Sequence, residues 1–134
     1  METVNQIEYN GALYNIQDAE AQKNLVYSQN EIDTGKIWID GKKIYRKVIN
    51  CGVIQNGTLN TIPTNIMNME KVVKITAMAT SKAYKLTTQI PYTSAGGKKK
   101  TIYIQNNNIY IYIDTVEETY DECFAILEYT KKTN

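Results

Sequence analysis

The run from Thr101 to Asp114, TIYIQNNNIYIYID, constrains this chain more than any other segment. Isoleucine stands at 102, 104, 109, 111 and 113, with tyrosine at 103, 110 and 112 between them. Side chains on a strand point alternately to its two faces, so this run sets an isoleucine face against a tyrosine face. The isoleucine face needs a core. The tyrosine face suits a half-wet surface, where the ring packs and the hydroxyl stays hydrated. Asn106, Asn107 and Asn108 break the run into a hairpin. A period of two cannot be an amphipathic helix, so the chain is β here.

The same signals recur along most of the sequence. KIWIDGKKIYRKVI, from Lys36, holds Asp40-Gly41 between two runs rich in Ile, Trp, Tyr and Val, which predicts a hairpin. Asn30 to Gly35 reads as a polar connector. Gly52 to Asn68, rich in Asn, Thr and Gly, reads as mostly loop. Lys71 to Thr80 reads as a strand buried around Val73, Ile75 and Ala77. Tyr84 to Ile90 reads as another, ended by Pro91. Thr93 to Lys100 is a loop and Thr115 to Glu122 an acidic loop. Cys123 to Thr130 is a last strand with Phe124 and Ile126 on one face. Six to eight short strands with turn signals about every ten residues predict a mainly β fold, an antiparallel sandwich or barrel.

Before it stands a different segment. IEYNGALYNI, Ile7 to Ile16, has Asn10-Gly11 at its centre and reads as a hairpin. Asp18 to Ser28 reads as a helix of at most three turns, with Asp18 as its cap. Both are marginal alone. They predict an N-terminal unit over residues 1–30 and a β domain over 31–134, the first docked on the domain or bundled with copies of itself.

Composition narrows function by exclusion. Among 134 residues there is no histidine, so neither a Ser-His-Asp nor a Cys-His triad is available. Two cysteines alone cannot complete a four-ligand zinc site. The formal charge is +1, which argues against neutralising many phosphates of a nucleic acid. The start METVNQIEYNGALYN has neither a basic nor an apolar signal region, and no run approaches a membrane span, so neither export nor membrane insertion is expected. Cys51 and Cys123 form no C-x-x-C pattern and are expected as two free thiols, a disulfide being the alternative. No cofactor and no metal is expected.

Candidate functional residues each carry a bland alternative. Asp114, Glu117, Glu118, Asp121 and Glu122 cluster near one predicted loop, which a glycosidase pair would need, but a solvated acidic loop is the expectation. Lys98-Lys99-Lys100 reads as a solvated loop, and Lys42, Lys43, Arg46 and Lys47 as a strand with its charged tips in water. Trp38, mid-strand in an apolar context, reads as a packing anchor. The tyrosines say more, because aromatic rings stack on the apolar faces of sugars. Tyr84, Tyr92, Tyr110 and Tyr112, with Asp114 and Glu117 nearby, are the candidate glycan contacts. Cross-strand packing or a subunit interface is the competing use of the same side chains.

Several segments together resemble bacteriophage tail-fibre and receptor-binding proteins. GKIWIDGKKIYRKVI, residues 35 to 49, is similar to the family motif G-T-W-I-D-G-K-P-I-Y-R-K. Cys51-Gly52-Val53, NMEKVV from Asn68, Ile90-Pro91-Tyr92 and the ending LEYTKKTN follow in the family's order. IEYNGALYNIQDAEAQ resembles the start of many phage tail and baseplate components. Lys43 stands where the family has proline, Gln22 at its usual basic position, and Ile62 to Asn65 lacks its His-Gly. The resemblance implies a jelly-roll-like β-sandwich head in a homotrimer, located in the virion at the tail tip or fibre. It implies that the N-terminal segment meets other tail or baseplate proteins and that the head binds a host cell-envelope polysaccharide, without catalysis. A structural adaptor with no receptor site is the alternative, and a glycan hydrolase a third.

Overall fold

A computed structural model describes residues 26–114 and 119–133. The described chain is mainly β, and its strand pairs are antiparallel. In order they are β1 (Ile32–Ile37), β2 (Lys43–Asn50), β3 (Leu59–Pro63), β4 (Met69–Ser81) and β5 (Leu86–Ile90). Then come β6 (Tyr92–Thr93), β7 (Lys99–Gln105), β8 (Asn108–Ile113) and β9 (Glu122–Lys131). The first sheet runs β1-β2-β9-β4-β5 and the second β3-β8-β7-β6.

Both predicted central hairpins are present. Gly41 takes a positive φ of 86°, and Gly41 N–H donates to the Trp38 carbonyl at 2.8 Å. Asn106 and Asn107 both take positive φ, 50° and 65°, the combination a two-residue hairpin turn requires. Asn tolerates that region because its short side chain bonds locally. β7 and β8 pair so that Ile102 faces Ile111 and Ile104 faces Ile109. Ile109, Ile111 and Ile113 are fully buried, as the isoleucine face demanded.

One apolar cluster joins the two sheets. Ala77, Ala79, Ala125, Leu127 and Tyr129 from the first sheet lie in it with the β8 isoleucines of the second. The alanines sit on the central strands β4 and β9, where small side chains leave room for isoleucines from across the core. The chain passes between sheets at Ile90-Pro91, a cis peptide, so that β5 belongs to one sheet and β6 to the other. The connections β2–β3, β3–β4, β5–β6 and β8–β9 change sheet, while β1–β2, β4–β5 and β6–β7–β8 turn back within one.

Several expectations are corrected. The connector expected over Asn30 to Gly35 contains most of β1, an irregular edge strand with a register shift between Asp33 and Ile37. Asp33 Oδ1 and Thr34 Oγ1 accept from Gly35 and Lys36 N–H groups, a local pattern that reads as a turn in sequence. The loop expected over Gly52 to Asn68 holds β3, which pairs with β8 from Leu59↔Tyr112 to Pro63↔Asn108. Lys99 and Lys100 belong to β7 rather than to a loop, and Tyr84 to the turn before β5. Trp38 is half-buried in the hairpin turn rather than mid-strand. On β9 Phe124 and Ile126 do share one face, and it is the opposite face, with Cys123, Ala125, Leu127 and Tyr129, that enters the core.

The hairpin expected over Ile7 to Ile16 and most of the helix expected over Asp18 to Ser28 lie outside the described residues. Its last positions, Val26 to Ser28, are not helical. Their carbonyls are held by β2 instead: Arg46 Nη2 donates to Val26 at 2.7 Å and Val48 N–H to Ser28 at 2.9 Å. Arg46 lies over the Tyr27 ring at 4.6 Å and beside Glu128 at 3.5 Å, both members of that ion pair buried.

Candidate functional site

The strand register decides which tyrosines share a surface. On β8 the residues between the buried isoleucines are Tyr110 and Tyr112, which therefore face out of the second sheet. Tyr110 stands between Thr61 of β3 and Tyr103 of β7, and Tyr112 between Leu59 and Thr101. Tyr103 and Tyr110 stack with ring centroids 5.1 Å apart and planes 20° from parallel. Tyr103 is 45 % exposed, Tyr112 37 % and Leu59 47 %. The result is a row of rings on a fixed sheet, flanked by the threonine hydroxyls of Thr61 and Thr101.

Charge is confined to one rim of this face. Asp114 follows Tyr112 on the same side, and its N–H donates to the Lys99 carbonyl at 2.8 Å. Asp114 thus continues the line of Tyr110 and Tyr112 at spacing i, i+2, i+4. The centre of the face is neutral, aromatic and hydroxylic. Chemically it can stack on the apolar side of a ring and exchange hydrogen bonds at its edge.

The other candidates are elsewhere. Tyr92 pairs with Lys100, and Lys100 with Ile113, so Tyr92 faces the inner side of the second sheet at its margin, opposite to Tyr110 and Tyr112. Tyr84 is 58 % exposed in the β4–β5 turn of the first sheet. Glu117 lies outside the described residues. Three of the six candidates, Tyr110, Tyr112 and Asp114, are brought together. Tyr103, Leu59 and Thr61 complete the surface. Tyr103 carried the signal in its alternation with isoleucine, whereas Leu59 and Thr61 were hidden in an apparent loop.

A polar cleft of about 320 Å³ opens between β2 and the β3–β4 connection. Lys47, Asn50, Thr64 and Asn65 line it over Ile62 and Pro63. Lys47 Nζ donates to the Thr64 and Asn65 carbonyls at 3.3 and 3.4 Å, so its ammonium is engaged in bridging the two segments.

Cys51 and Cys123 are free, buried and adjacent, Cys51 N–H donating to the Cys123 carbonyl at 2.8 Å. The neighbouring Cys51 thiol, together with burial, holds the Cys123 thiol well above its ordinary range, which keeps it protonated and unreactive. Among the described residues no group of His, Cys, Asp or Glu could hold a metal ion, and no helix is long and apolar enough to cross a membrane. No protein-family model, no curated protein and no solved structure matches this chain.

Proposed function

We propose that this chain is a tail-fibre or receptor-binding component of a bacteriophage or prophage, whose β head binds a host cell-envelope glycan without chemistry. The observation that carries the binding part is the row of exposed Tyr103 and Tyr112 with half-buried Tyr110, on a sheet whose other face sets Ile109, Ile111 and Ile113 into the core. A ring fixed by its strand loses little freedom when a sugar stacks on it, so such a face is organised before the ligand arrives. The phage context is supported by the W-I-D-G-K-x-I-Y-R-K string over Trp38 to Lys47 and by the shared order of the later segments.

In this reading the protein is a virion component assembled as a homotrimer with a jelly-roll-like head. Residues 1–30 form its attachment segment, joining it to other tail or baseplate proteins. Three heads per fibre, and several fibres, turn weak single sites into firm attachment. Tyr110, Tyr112 and Asp114 are the contact residues it favours, with Tyr103 added.

A second reading has one observation in its favour. Leu59 and the stacked Tyr103–Tyr110 pair give the face an aromatic and aliphatic content that protein interfaces share, as in an adaptor with no receptor site. Binding of the full chain to host envelopes separates the two. Tyr110→Ala and Tyr112→Ala are each expected to weaken binding about tenfold while the solution mass stays unchanged. Unchanged binding in both variants removes this face as the receptor site, and a fall in solution mass assigns it to subunit contact.

A further inference from the structure

Among the described residues, three cations lie over tyrosine rings. Arg46 over Tyr27 also has Glu128 and the Val26 carbonyl, and Lys131 over Tyr45 also has Glu31 at 2.8 Å. Lys100 lies over Tyr92, 5.0 Å from the ring centroid, and has neither an ion pair nor a hydrogen-bond acceptor among the described residues. Yet Lys100 is only 8 % exposed. It stands opposite Ile113 on the inner face of the second sheet, where an isoleucine would be the unremarkable choice. The stem is enclosed while the ammonium reaches the surface, and lysines this enclosed are ordinarily paired. The Tyr92 face takes one side of the ammonium, and among the described residues no acceptor takes any of its three donors.

We propose that Lys100 and Tyr92 form an anion subsite at the margin of the second sheet, which takes the carboxylate or phosphate substituent of an envelope polymer. That the anion belongs to such a polymer rests on the function proposed above; the site itself does not. Its position is fixed before binding. The β6–β7 turn is closed by hydrogen bonds from Gly97 N–H to the Ser94 carbonyl, Ser94 N–H to the Lys98 carbonyl and Lys98 N–H to Ser94 Oγ. Lys98 and Lys99 next to it make the approach positive. Asp114 is beside Lys99 on the opposite face and does not serve Lys100. The ammonium is not among the fully enclosed polar atoms that lack a hydrogen bond, so it keeps a route to solvent.

The test is a titration of the isotopically labelled full chain with glucuronate, glycerol phosphate, glucose and glycerol, followed by nuclear magnetic resonance. The Tyr92 and Lys100 resonances are expected to move with one or both charged compounds and with neither neutral one. Whichever anion acts identifies the substituent as carboxylate or phosphate. Lys100→Gln is expected to weaken the response about tenfold or more, and Lys100→Arg to keep it. Tyr110→Ala is expected to leave it intact, so failure of the tyrosine face as a glycan site does not register here. No movement with either anion overturns the proposal, as does movement that survives Lys100→Gln.

Discussion

Glu31 shows how a single exposed-looking side chain can be tied into the fold. Its carboxylate accepts from the Tyr129 hydroxyl at 2.6 Å and pairs with Lys131 at 2.8 Å. Burial alone would raise its pKa, but the bonds from Lys131 and Tyr129 outweigh that and hold it below the ordinary value of 4.5. A carboxyl with a lowered folded pKa stabilises the protein above its unfolded pKa, and this contribution is lost as pH falls through the folded one. Melting temperature measured from pH 7 down to pH 3 should therefore fall less steeply in Glu31→Gln than in the natural chain. Because the carboxylate is partly in water, the difference at pH 7 should be at most about 1 kcal/mol. Burial, and then the Glu31 bond, push the Tyr129 hydroxyl well above its usual range, so it stays a donor throughout. At the core, Ile111 is fully enclosed, and Ile111→Ala should cost about 2–5 kcal/mol in a denaturant titration. A loss below about 1 kcal/mol would mean that the two sheets do not close on β8.

At the scale of elements, the hairpins were legible and the edges were not. Asp40-Gly41 and the asparagine run announce their turns because only a few residue types tolerate positive φ. β3 was hidden because an edge strand with one wet side has no apolar run, and Leu59-Asn60-Thr61-Ile62-Pro63 resembles the loop around it. Asn60 makes the strand visible only in three dimensions, where its amide donates to the Ile111, Gln55 and Thr58 carbonyls. On β9 alternation sets Phe124 and Ile126 on one face without saying which face is the core; Cys123, Ala125, Leu127 and Tyr129 occupy it. The volume of the opposite sheet makes that choice, and it cannot be read from β9 alone. The same limit applied to the site: alternation grouped Tyr103, Tyr110 and Tyr112, but only the register set Tyr92 on the other face. Asn107 is the turn residue with the most at stake. Its φ is 65°, its amide donates to the Ile66 carbonyl at 3.0 Å, and its oxygen accepts from Thr64 Oγ1. Asn107→Ala should cost about 2 kcal/mol, while Asn106→Gly should be neutral or slightly stabilising; thermal unfolding of both variants checks this.

On the scale of the whole molecule, the first sheet packs beneath the second, whose outer face carries the tyrosines. Isoleucines 109, 111 and 113 fix β8 from below, and the rings stand above it. What such a face contacts is decided most directly by chemical nitration of tyrosine in the full chain, with and without host envelope polysaccharide, read by peptide mass spectrometry. The account predicts that Tyr103, Tyr110 and Tyr112 are modified in the free protein and protected by the polysaccharide, while Tyr84 is modified in both. Modification of the three rings to the same extent with and without polysaccharide, or their protection before any is added, would contradict it.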